Sequence, residues 1–520
     1  MTALLAALPI LLVLALMLGL GWPASRAGVV GAGLALVVAI AGFGFGSEVL
    51  GAVGLPLALL GVSAEAGFTS ATILWIILPA LAIYHLQVAT GGTDILRVAL
   101  GRLSDDPRIL ALLIAWFFTL FMEGGAGFGS PVALAAPFLV GIGYTPLVAV
   151  VIAMMGNAVG VSFGAIGTPV VPMVAATGLD ALELSAASAV YHLAFGIVPL
   201  VVMMFIASRG TGTRMVGAIW GWTLLAAFAF LVPMWAIATF VGPELPTLGG
   251  SLVGMAVFVA VLLVVRRRRP GAASAAAADA ELAIDADAGV PTGTTDLLRA
   301  GAPYLILISL VLVTRLIGPI ADLLGGVELR WELAGVFTGG IAPLTHPGTL
   351  LVLSLLLGAV IQRASITTLG GALTRTLRQL VPITVALLAM LLLARLMVRS
   401  GMTEALAEAA AGSAASAWPV LAPMVGILGT FVTGSGTASN VLFTDLQVAT
   451  AEQLGLDPLP LLGAQNFGAS VGNQIAPHNI VAGGATVGLI GGEADVMRRT
   501  IGLTLVYGLL GGLLALLLVT

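Results

Sequence analysis

The sequence contains no cysteine and no lysine, and only 8% of its 520 residues are charged. The absence of cysteine excludes a disulfide framework and any metal site built on thiolates. About 25% of the residues in ordinary soluble domains are charged, so this chain is not typical of that class. A formal net charge of −4 also argues against nucleic-acid binding, which would need clustered basic residues.

Apolar residues are abundant instead, at 59% of the chain, and the mean hydropathy is +1.14. Because the apolar runs are continuous rather than alternating, they indicate helices and not barrel strands. We predict an all-α polytopic membrane protein with roughly 10 to 14 hydrophobic segments. The first run lacks a positively charged leader, so we interpret it as a membrane helix and not a signal peptide. Clear runs are 4–20, 29–45, 189–206, 252–265 and 503–519.

One long segment has a different composition. From Arg266 the chain reads RRRRPGAASAAAADAELAIDADAGVPTGTTD. The positive-inside rule places these four arginines in the cytoplasm, where a topology anchor is favoured over a lipid-binding site. The polar, Ala- and Asp-rich remainder predicts a flexible cytoplasmic linker at 267–298. This linker would separate an N-terminal membrane half, 1–266, from a C-terminal half, 299–520.

Each half contains one block rich in glycine and proline, 121–172 in the first and 431–481 in the second. An offset of 310 pairs Phe121 with Phe431, and an offset of 308 pairs Ser162 with Ser470. We interpret the blocks as an internal repeat, each with a re-entrant hairpin and a broken transmembrane helix. Interrupted hydrophobic segments at corresponding positions of two halves are typical of transporter binding sites.

The chemistry of these blocks suits an anion. Broken backbone inside a membrane is tolerated only around a cavity or inside protein, and the exposed N–H groups of a helix start attract negative charge. The first block begins FMEGGAGFGS at Phe121, and the second contains TGSGTASN from Thr433, which adds hydroxyl and amide groups. The alternative is that the glycines only permit close helix packing. Their clustering with polar residues, in both halves, favours a site.

Ionisable residues in these blocks are candidates for ion coupling, because a central charge costs about 2.5–3.5 kcal/mol on insertion scales. They are Glu123, Asp445 and His478. A glutamic acid that stays protonated and bonds the loop backbone is the alternative for Glu123. Arg315 and Arg395 lie late in apolar runs, and we expect both to extend toward the interface.

The blocks resemble the bacterial L-lactate permease family, which includes glycolate permeases. The resemblance rests on FMEGGAGFGSPVA (121–133), NAVGVSFGAIGTPV (157–170), GPELP (242–246), TGSGTASNVLF (433–443) and ATVGL (485–489) with EADVMRRT (493–500). It covers nearly the whole chain apart from the linker. It implies uptake of L-lactate, D-lactate and glycolate across the inner membrane with protons, and a transport domain that moves against a scaffold.

Carried onto this chain, the resemblance places the hairpin tips at Glu123–Ser130 and Thr433–Asn440, and the broken helices at 157–169 and 466–479. The chain departs from the family pattern at Gly436, where Asp is common, at Asp445, where a small residue is common, and at His478, where Gln is common. The candidate substrate-binding residues are Gly125, Gly127, Gly129, Ser130, Asn157, Ser162, Thr168, Thr433, Ser435, Thr437, Ser439, Asn440 and Asn473.

These observations predict a secondary transporter that imports small 2-hydroxy monocarboxylates by proton symport. Sodium coupling and a passive anion channel remain open alternatives. A membrane-embedded enzyme is disfavoured because the sequence has no His-Glu-x-x-His motif and no conventional nucleophile elbow. No cofactor or metal is expected. The expected partners are the substrate, protons and membrane lipid, and a homodimer is an open alternative to a monomer.

Overall fold

The computed structural model describes residues 2–127, 129–215, 217–267, 293–489 and 492–519, without the side chains of Leu18 and Ser130. Nine helices within these ranges are long and apolar enough to cross a membrane, and two bent helix pairs raise that number to eleven. The predicted all-α membrane fold is confirmed. One small addition was not predicted, an antiparallel hairpin of two strands that pairs Leu329 with Ile341.

The helices form two similar series separated by a middle group. Two helices precede the first series, α1 (Thr2–Leu20) and α2 (Ala24–Phe43). The first series comprises α3 (Leu55–Ala89), α4 (Gly92–Gly101), α5 (Pro107–Gly125), α6 (Ser130–Gly141), α7 (Pro146–Asn157), α8 (Val171–Thr177) and α9 (Ala181–Phe195).

The middle group consists of α10 (Ile197–Gly210), α11 (Ala218–Phe240), α12 (Pro246–Arg267), α13 (Thr294–Leu316), α14 (Gly318–Gly325), β1 (Leu329–Leu333), β2 (Phe337–Ile341) and α15 (Pro347–Ile361). The second series comprises α16 (Ile366–Ser400), α17 (Met402–Ala414), α18 (Trp418–Thr433), α19 (Gly436–Leu454), α20 (Pro458–Gly472), α21 (Pro477–Thr486) and α22 (Glu493–Val519). In both series a 35-residue helix is followed by a short helix, a helical hairpin and a broken helix.

The predicted linker, 267–298, falls mainly on residues 268–292, which lie outside the described residues. Its edges differ from the prediction: Arg267 is the last residue of α12, and α13 already begins at Thr294. The start of α13 has a local cause. Asp296 lies in its first turn, where a negative charge interacts favourably with the positive end of the helix dipole.

Local sequence explains both hairpins. Asp106 caps α5 by accepting a hydrogen bond from Arg108 N, and Pro107 suits the first helical position. At the first tip, Gly127 and Gly129 have φ angles of 59° and 79°, a region that side chains with a Cβ rarely adopt. At the second tip, Gly434 has a φ of 70° and lets α18 end before α19 begins.

The two broken helices follow the hairpins. In the first, α7 ends at Asn157, and the next helical segment, Val161–Gly167, is bent by 57°. Ala165 and Ile166 are left-handed there, with φ angles of 43° and 58°. Such angles are strained for a β-branched residue and persist only when the surrounding structure holds them. In the second, a short 3₁₀ segment separates α20 from α21, which begins at Pro477.

The two 35-residue helices, α3 and α16, pack against each other, and we refer to this pair as the scaffold. Arg399 of α16 forms an ion pair with the buried Glu65 of α3. Arg399 also lies 5.2 Å from the centroid of the Phe337 ring, on the β-hairpin. A Cβ at Gly61 would lie 2.2 Å from that ring, so glycine lets the hairpin approach α3 closely.

Helix ends on one side of the protein are joined by polar contacts. Arg266 donates to the Leu103 carbonyl over 2.7 Å, Gln87 donates to the Ala300 carbonyl, and Gln362 donates to the Arg299 carbonyl over 3.1 Å. The ends of α3, α12 and α15 and the start of α13 therefore share one face. Because the arginine-rich end of α12 belongs to this face, the positive-inside rule predicts that the face is cytoplasmic.

Candidate functional site

A small cavity lies where both hairpin tips meet both helix breaks. Its volume is about 30 Å³. Among the described residues that line it, Glu123 alone carries an ionisable side chain. The lining comes from all four elements: Glu123, Gly127, Gly129, Val161, Gly164, Ala165, Thr168, Pro169, Gly434, Ser435, Gly436, Thr437, Asn473 and Asn479.

Glu123 is 5% exposed and lies at the end of the first hairpin helix. Its Oε2 accepts a hydrogen bond from Asn157 Nδ2 over 2.8 Å. Its other carboxylate oxygen faces glycine backbone: a Cβ at Gly164 would lie 2.3 Å from Oε1, and one at Gly127 would lie 3.3 Å away. The carboxylate is therefore enclosed by backbone that only glycine permits at this distance.

The glycines of FMEGGAGFGS have different roles. A Cβ at Gly124 would lie 2.4 Å from the Leu248 nitrogen, and one at Gly125 would lie 2.7 Å from the Tyr304 ring. These two glycines permit close helix packing. Gly125, which was predicted from the sequence to bind substrate, does not line the cavity. Gly127 and Gly129 do line the cavity.

Two helix N-termini face this cavity, those of α6 and α19. Gly129 is the N-cap of α6, and Ser435 is the N-cap of α19, where its hydroxyl accepts from Ala438 N over 3.3 Å. The first-turn N–H groups of a helix have no partner within the helix and carry its positive dipole end. Thr437, in the first turn of α19, donates to Thr168 Oγ1 over 3.5 Å. This side of the cavity suits a carboxylate.

Two asparagines of the second broken helix complete the lining. Asn479 donates to Asn473 Oδ1 and, over 3.5 Å, to the carbonyl of Gly434 at the second tip. Asn479 Oδ1 is buried without a hydrogen-bond partner among the described residues. Asn473 is among the residues predicted from the sequence to bind substrate, whereas Asn479 is not. The signal that could have identified Asn479 is a polar residue two positions after Pro477 of the break.

Several other predicted binding residues are occupied by structural hydrogen bonds. Thr433 donates to the Gly429 carbonyl over 2.7 Å, and Ser439 donates to the Gly426 carbonyl over 2.9 Å. Asn440 donates to the Pro169 carbonyl and to Asn466 Oδ1, both over 2.9 Å, and so joins the second hairpin to both broken helices. These three side chains do not line the cavity, although they fix the elements that do.

The first break and α20, the helix that leads into the second break, are joined by a reciprocal pair of serine contacts. Ser162 Oγ donates to the Asn466 carbonyl over 3.1 Å, and Ser470 Oγ donates to the Ala158 carbonyl over 2.5 Å. Ser162 corresponds to Ser470, and Ala158 corresponds to Asn466, at the same offset of 308 that aligned the two blocks. Ser470 Oγ also accepts from Ser162 N over 3.0 Å. The first break and α20 are thus joined by nearly symmetric contacts.

A buried histidine extends this contact. His192 Nε2 lies 2.8 Å from Ser162 Oγ, and its Nδ1 lies 3.1 Å from the Tyr507 hydroxyl. His192 is fully buried, so both ring nitrogens have partners within the protein. These contacts are those of a packing histidine whose two nitrogens are both satisfied.

The three predicted ion-coupling residues do not lie together. Asp445 is in the third turn of α19, within electrostatic range of Arg395 and Arg399 of the scaffold helix, and does not line the cavity. His478 is exposed and packs beside Gly434 at the second tip. Only Glu123 reaches the cavity. The side chain of Ser130 lies outside the described residues.

The two arginines expected to extend toward the interface have protein partners. Arg315 forms an ion pair with Glu244, which is 3% exposed and belongs to the GPELP segment. Arg395 donates to the Ala175 carbonyl over 3.1 Å, near the end of α8. Arg395 therefore links the scaffold to the first broken helix. Within the described ranges, no group of three or more His, Asp or Glu side chains could hold a metal ion.

Comparisons with known proteins agree with this architecture. The family model described as L-lactate permease matches residues 2–520. An L-lactate permease of Streptococcus iniae is 30% identical over 419 residues, which are 79% of this chain and 84% of that protein. An L-lactate permease of Escherichia coli K12 is 30% identical over 471 residues, 85% and 83% of the two chains. The glycolate permease GlcA of the same organism is 29% identical over 477 residues, 86% and 84% of the two chains.

A solved structure has a similar fold. It is MtrF of Neisseria gonorrhoeae, described as illuminating a class of antimetabolite efflux pumps. The two chains superpose with a TM-score of 0.52, cover 95% of each other and are 16% identical. At this identity the likeness concerns the fold alone.

We expect Ser470→Ala to destabilise the protein by about 1–3 kcal/mol, because it leaves buried Ser162 N–H and Ala158 carbonyl groups without this partner. Ser413→Ala is the matched control, since Ser413 is exposed on α17 and bonds only carbonyls of its own helix. The measurement is the free energy of unfolding, or the melting temperature, of purified protein in detergent. Equal stability of the two variants would contradict the structural role of the reciprocal contact.

Proposed function

We propose that this chain, which belongs to the L-lactate permease family, imports small 2-hydroxy monocarboxylates together with protons. Its family and its membrane helices make it a multi-pass transporter of the bacterial inner membrane rather than an enzyme. The relatives are named for L-lactate and glycolate, which share a carboxylate and a neighbouring hydroxyl group. We extend this substrate range to D-lactate, because an opened cavity lined by small residues has room for either enantiomer of lactate.

One observation carries the proposal: a buried carboxylate and two helix N-termini line the same small cavity. The N-termini attract an anionic substrate, whereas an ionised Glu123 repels it over a short distance. Protonation of Glu123 removes this repulsion. Proton and substrate therefore bind more tightly together than either does alone, and this mutual effect is the coupling.

The substrate carboxylate accepts hydrogen bonds from the first-turn N–H groups of α19 and from Ser435, Thr437 and Thr168. These hydroxyls are already within or next to the cavity. The 2-hydroxyl bonds the amide groups of Asn473 and Asn479, where Asn479 Oδ1 is a buried acceptor without a described partner. Asn157 takes no direct part; it holds Glu123 in place by donating to Oε2.

Transport requires this cavity to open. Three of its polar side chains, Glu123, Thr168 and Asn479, are at most 5% exposed, so a hydroxy acid cannot reach them in this conformation. We propose that the hairpins and broken helices move as a unit against the scaffold of α3 and α16. The Arg395–Ala175 contact lies at this boundary and would break and re-form. A homodimer that holds two scaffolds together fits this motion.

Sodium coupling is the second candidate. Asn157 Oδ1 and Asn479 Oδ1 are buried oxygens without described hydrogen-bond partners, and oxygen ligands suit a hard cation. A passive channel for anions is the third candidate, and it would dissipate a gradient without accumulating substrate.

The decisive experiment uses the full chain reconstituted in liposomes with labelled L-lactate outside. We expect accumulation when the exterior is acidic, with or without sodium, because protonated Glu123 removes the charge repulsion. Accumulation with a sodium gradient at equal pH on both sides would overturn proton coupling. Equilibration without accumulation under every gradient would overturn active transport.

We expect Glu123→Gln to abolish proton-driven accumulation and to retain counterflow exchange within about threefold, since glutamine keeps a neutral group of similar shape beside Asn157. Glu408→Gln is the matched control, because Glu408 is exposed on α17. The measurement compares driven uptake with exchange in the same vesicles. Equal loss of both activities would assign Glu123 a structural role instead.

We expect Asn473→Ala to reduce the preference for lactate over propionate by about tenfold, because a site built to bond a hydroxyl discriminates through that bond. Propionate keeps the carboxylate and lacks the 2-hydroxyl. Competition by each acid against labelled lactate measures the preference. Thr433→Ala serves for comparison, since the Thr433 hydroxyl is bonded within the second hairpin and does not line the cavity. An unchanged preference in Asn473→Ala would contradict the placement of the hydroxyl.

A further inference from the structure

A second and much larger cavity opens on the membrane-facing side of the cytoplasmic half. Its volume is about 520 Å³, and its lining is almost wholly aliphatic and aromatic. Four elements form its walls: the amphipathic helix α4, the hairpin helix α5, and the long helices α12 and α13. It is separate from the Glu123 cavity, with which it shares no lining residue.

Positive charge lies at the cytoplasmic end of this groove. Arg266 and Arg267 end α12, are exposed, and follow the groove-lining Val259 by about two turns of helix. Arg266 donates one hydrogen bond to the carbonyl of Leu103, itself a groove residue, so this arginine is fixed at the rim. Arg299 lies on the facing helix α13, between the groove residues Leu297 and Gly301.

The depth of the groove suits an acyl chain. Its lining on α12 runs from Val259 to Leu252, which at 1.5 Å per residue is about 10 to 21 Å from Arg266 along the helix axis. One leaflet of the hydrocarbon core is about 15 Å thick. A chain attached to a headgroup at Arg266 would therefore follow the groove from the interface to the middle of the bilayer.

We propose that this groove binds an anionic phospholipid of the cytoplasmic leaflet, with its headgroup at Arg266 and Arg267 and one acyl chain between α12 and α13. Basic pockets between membrane helices on the cytoplasmic side are suited to such headgroups. The apolar lining excludes a soluble metabolite as the occupant of the inner part, and the charge at the rim distinguishes the site from general lipid contact.

The bound chain would contact the first hairpin. Phe118 and Phe121 of α5 line the groove, and Phe121 packs against Tyr304 of α13 with ring centroids 4.7 Å apart. Tyr304 in turn covers Gly125, two residues after Glu123. The acyl chain therefore lies against α5 as well as α12 and α13.

The test is native mass spectrometry of the full chain, freed of lipid in detergent and titrated with phosphatidylglycerol or phosphatidylcholine. We expect phosphatidylglycerol to bind at least about tenfold more tightly, because two arginines interact with its charge. Ala256→Phe, which fills the groove, should weaken phosphatidylglycerol binding about tenfold or more. Val257→Phe is the matched control, since Val257 is an exposed neighbour on α12 that does not line the groove.

The double variant Arg266→Gln, Arg267→Gln tests the rim without changing the apolar lining. We expect it to bind both lipids with the weaker affinity of phosphatidylcholine. Equal affinity of the unmodified protein for the two lipids would overturn the proposal. So would phosphatidylglycerol binding that survives both Ala256→Phe and the arginine substitutions. Size-exclusion profiles that match the unmodified protein establish that each variant is folded.

Discussion

The structure depends on one constraint: backbone that leaves a helix inside a membrane must find hydrogen-bond partners within the protein. In the described part of the chain, the constraint applies at the two hairpin tips and the two helix breaks. The first break meets α20, the helix that leads into the second break, through Ser162 and Ser470, each of which donates to a carbonyl of the other segment. Asn440 adds a bond to the Pro169 carbonyl and so joins the second hairpin to the first break. These bonds require the two halves to meet at their interruptions.

Bringing the interruptions together has a chemical consequence. The N-termini of α6 and α19 meet at the Glu123 cavity. Because each N-terminus is the positive end of a helix dipole, the electrostatic potential there is positive. Glu123 reaches the same space because Gly127 and Gly164 leave room for its carboxylate. The proposed anion site, with its removable negative charge, therefore depends on close backbone contact. This arrangement supports proton coupling without a metal or a cofactor in the proposed mechanism.

Close contact also explains why glycine is frequent in this chain. In FMEGGAGFGS, Gly124 and Gly125 leave room for Leu248 and Tyr304 of neighbouring helices. Gly127 and Gly129 form the hairpin tip beside the cavity. Gly124 and Gly125 thus have the packing role that was the alternative, whereas Gly127 and Gly129 line the cavity of the proposed site. The strained residues Ala165 and Ile166 lie at the same place, where surrounding contacts hold an unfavourable backbone.

The sequence by itself determined the membrane class, the family, the two interrupted blocks and most of the polar residues near the cavity, because hydropathy and glycine–proline breaks are local properties of the chain. Only the tertiary structure decided which side chains share a space. It separated Asp445 and His478 from Glu123, brought Asn479 to the cavity, and gave Arg315 a partner in Glu244. It also formed the apolar groove from four elements distant in sequence. Linear spacing cannot predict such neighbours, since they depend on how separate helices pack and on which faces they turn to one another.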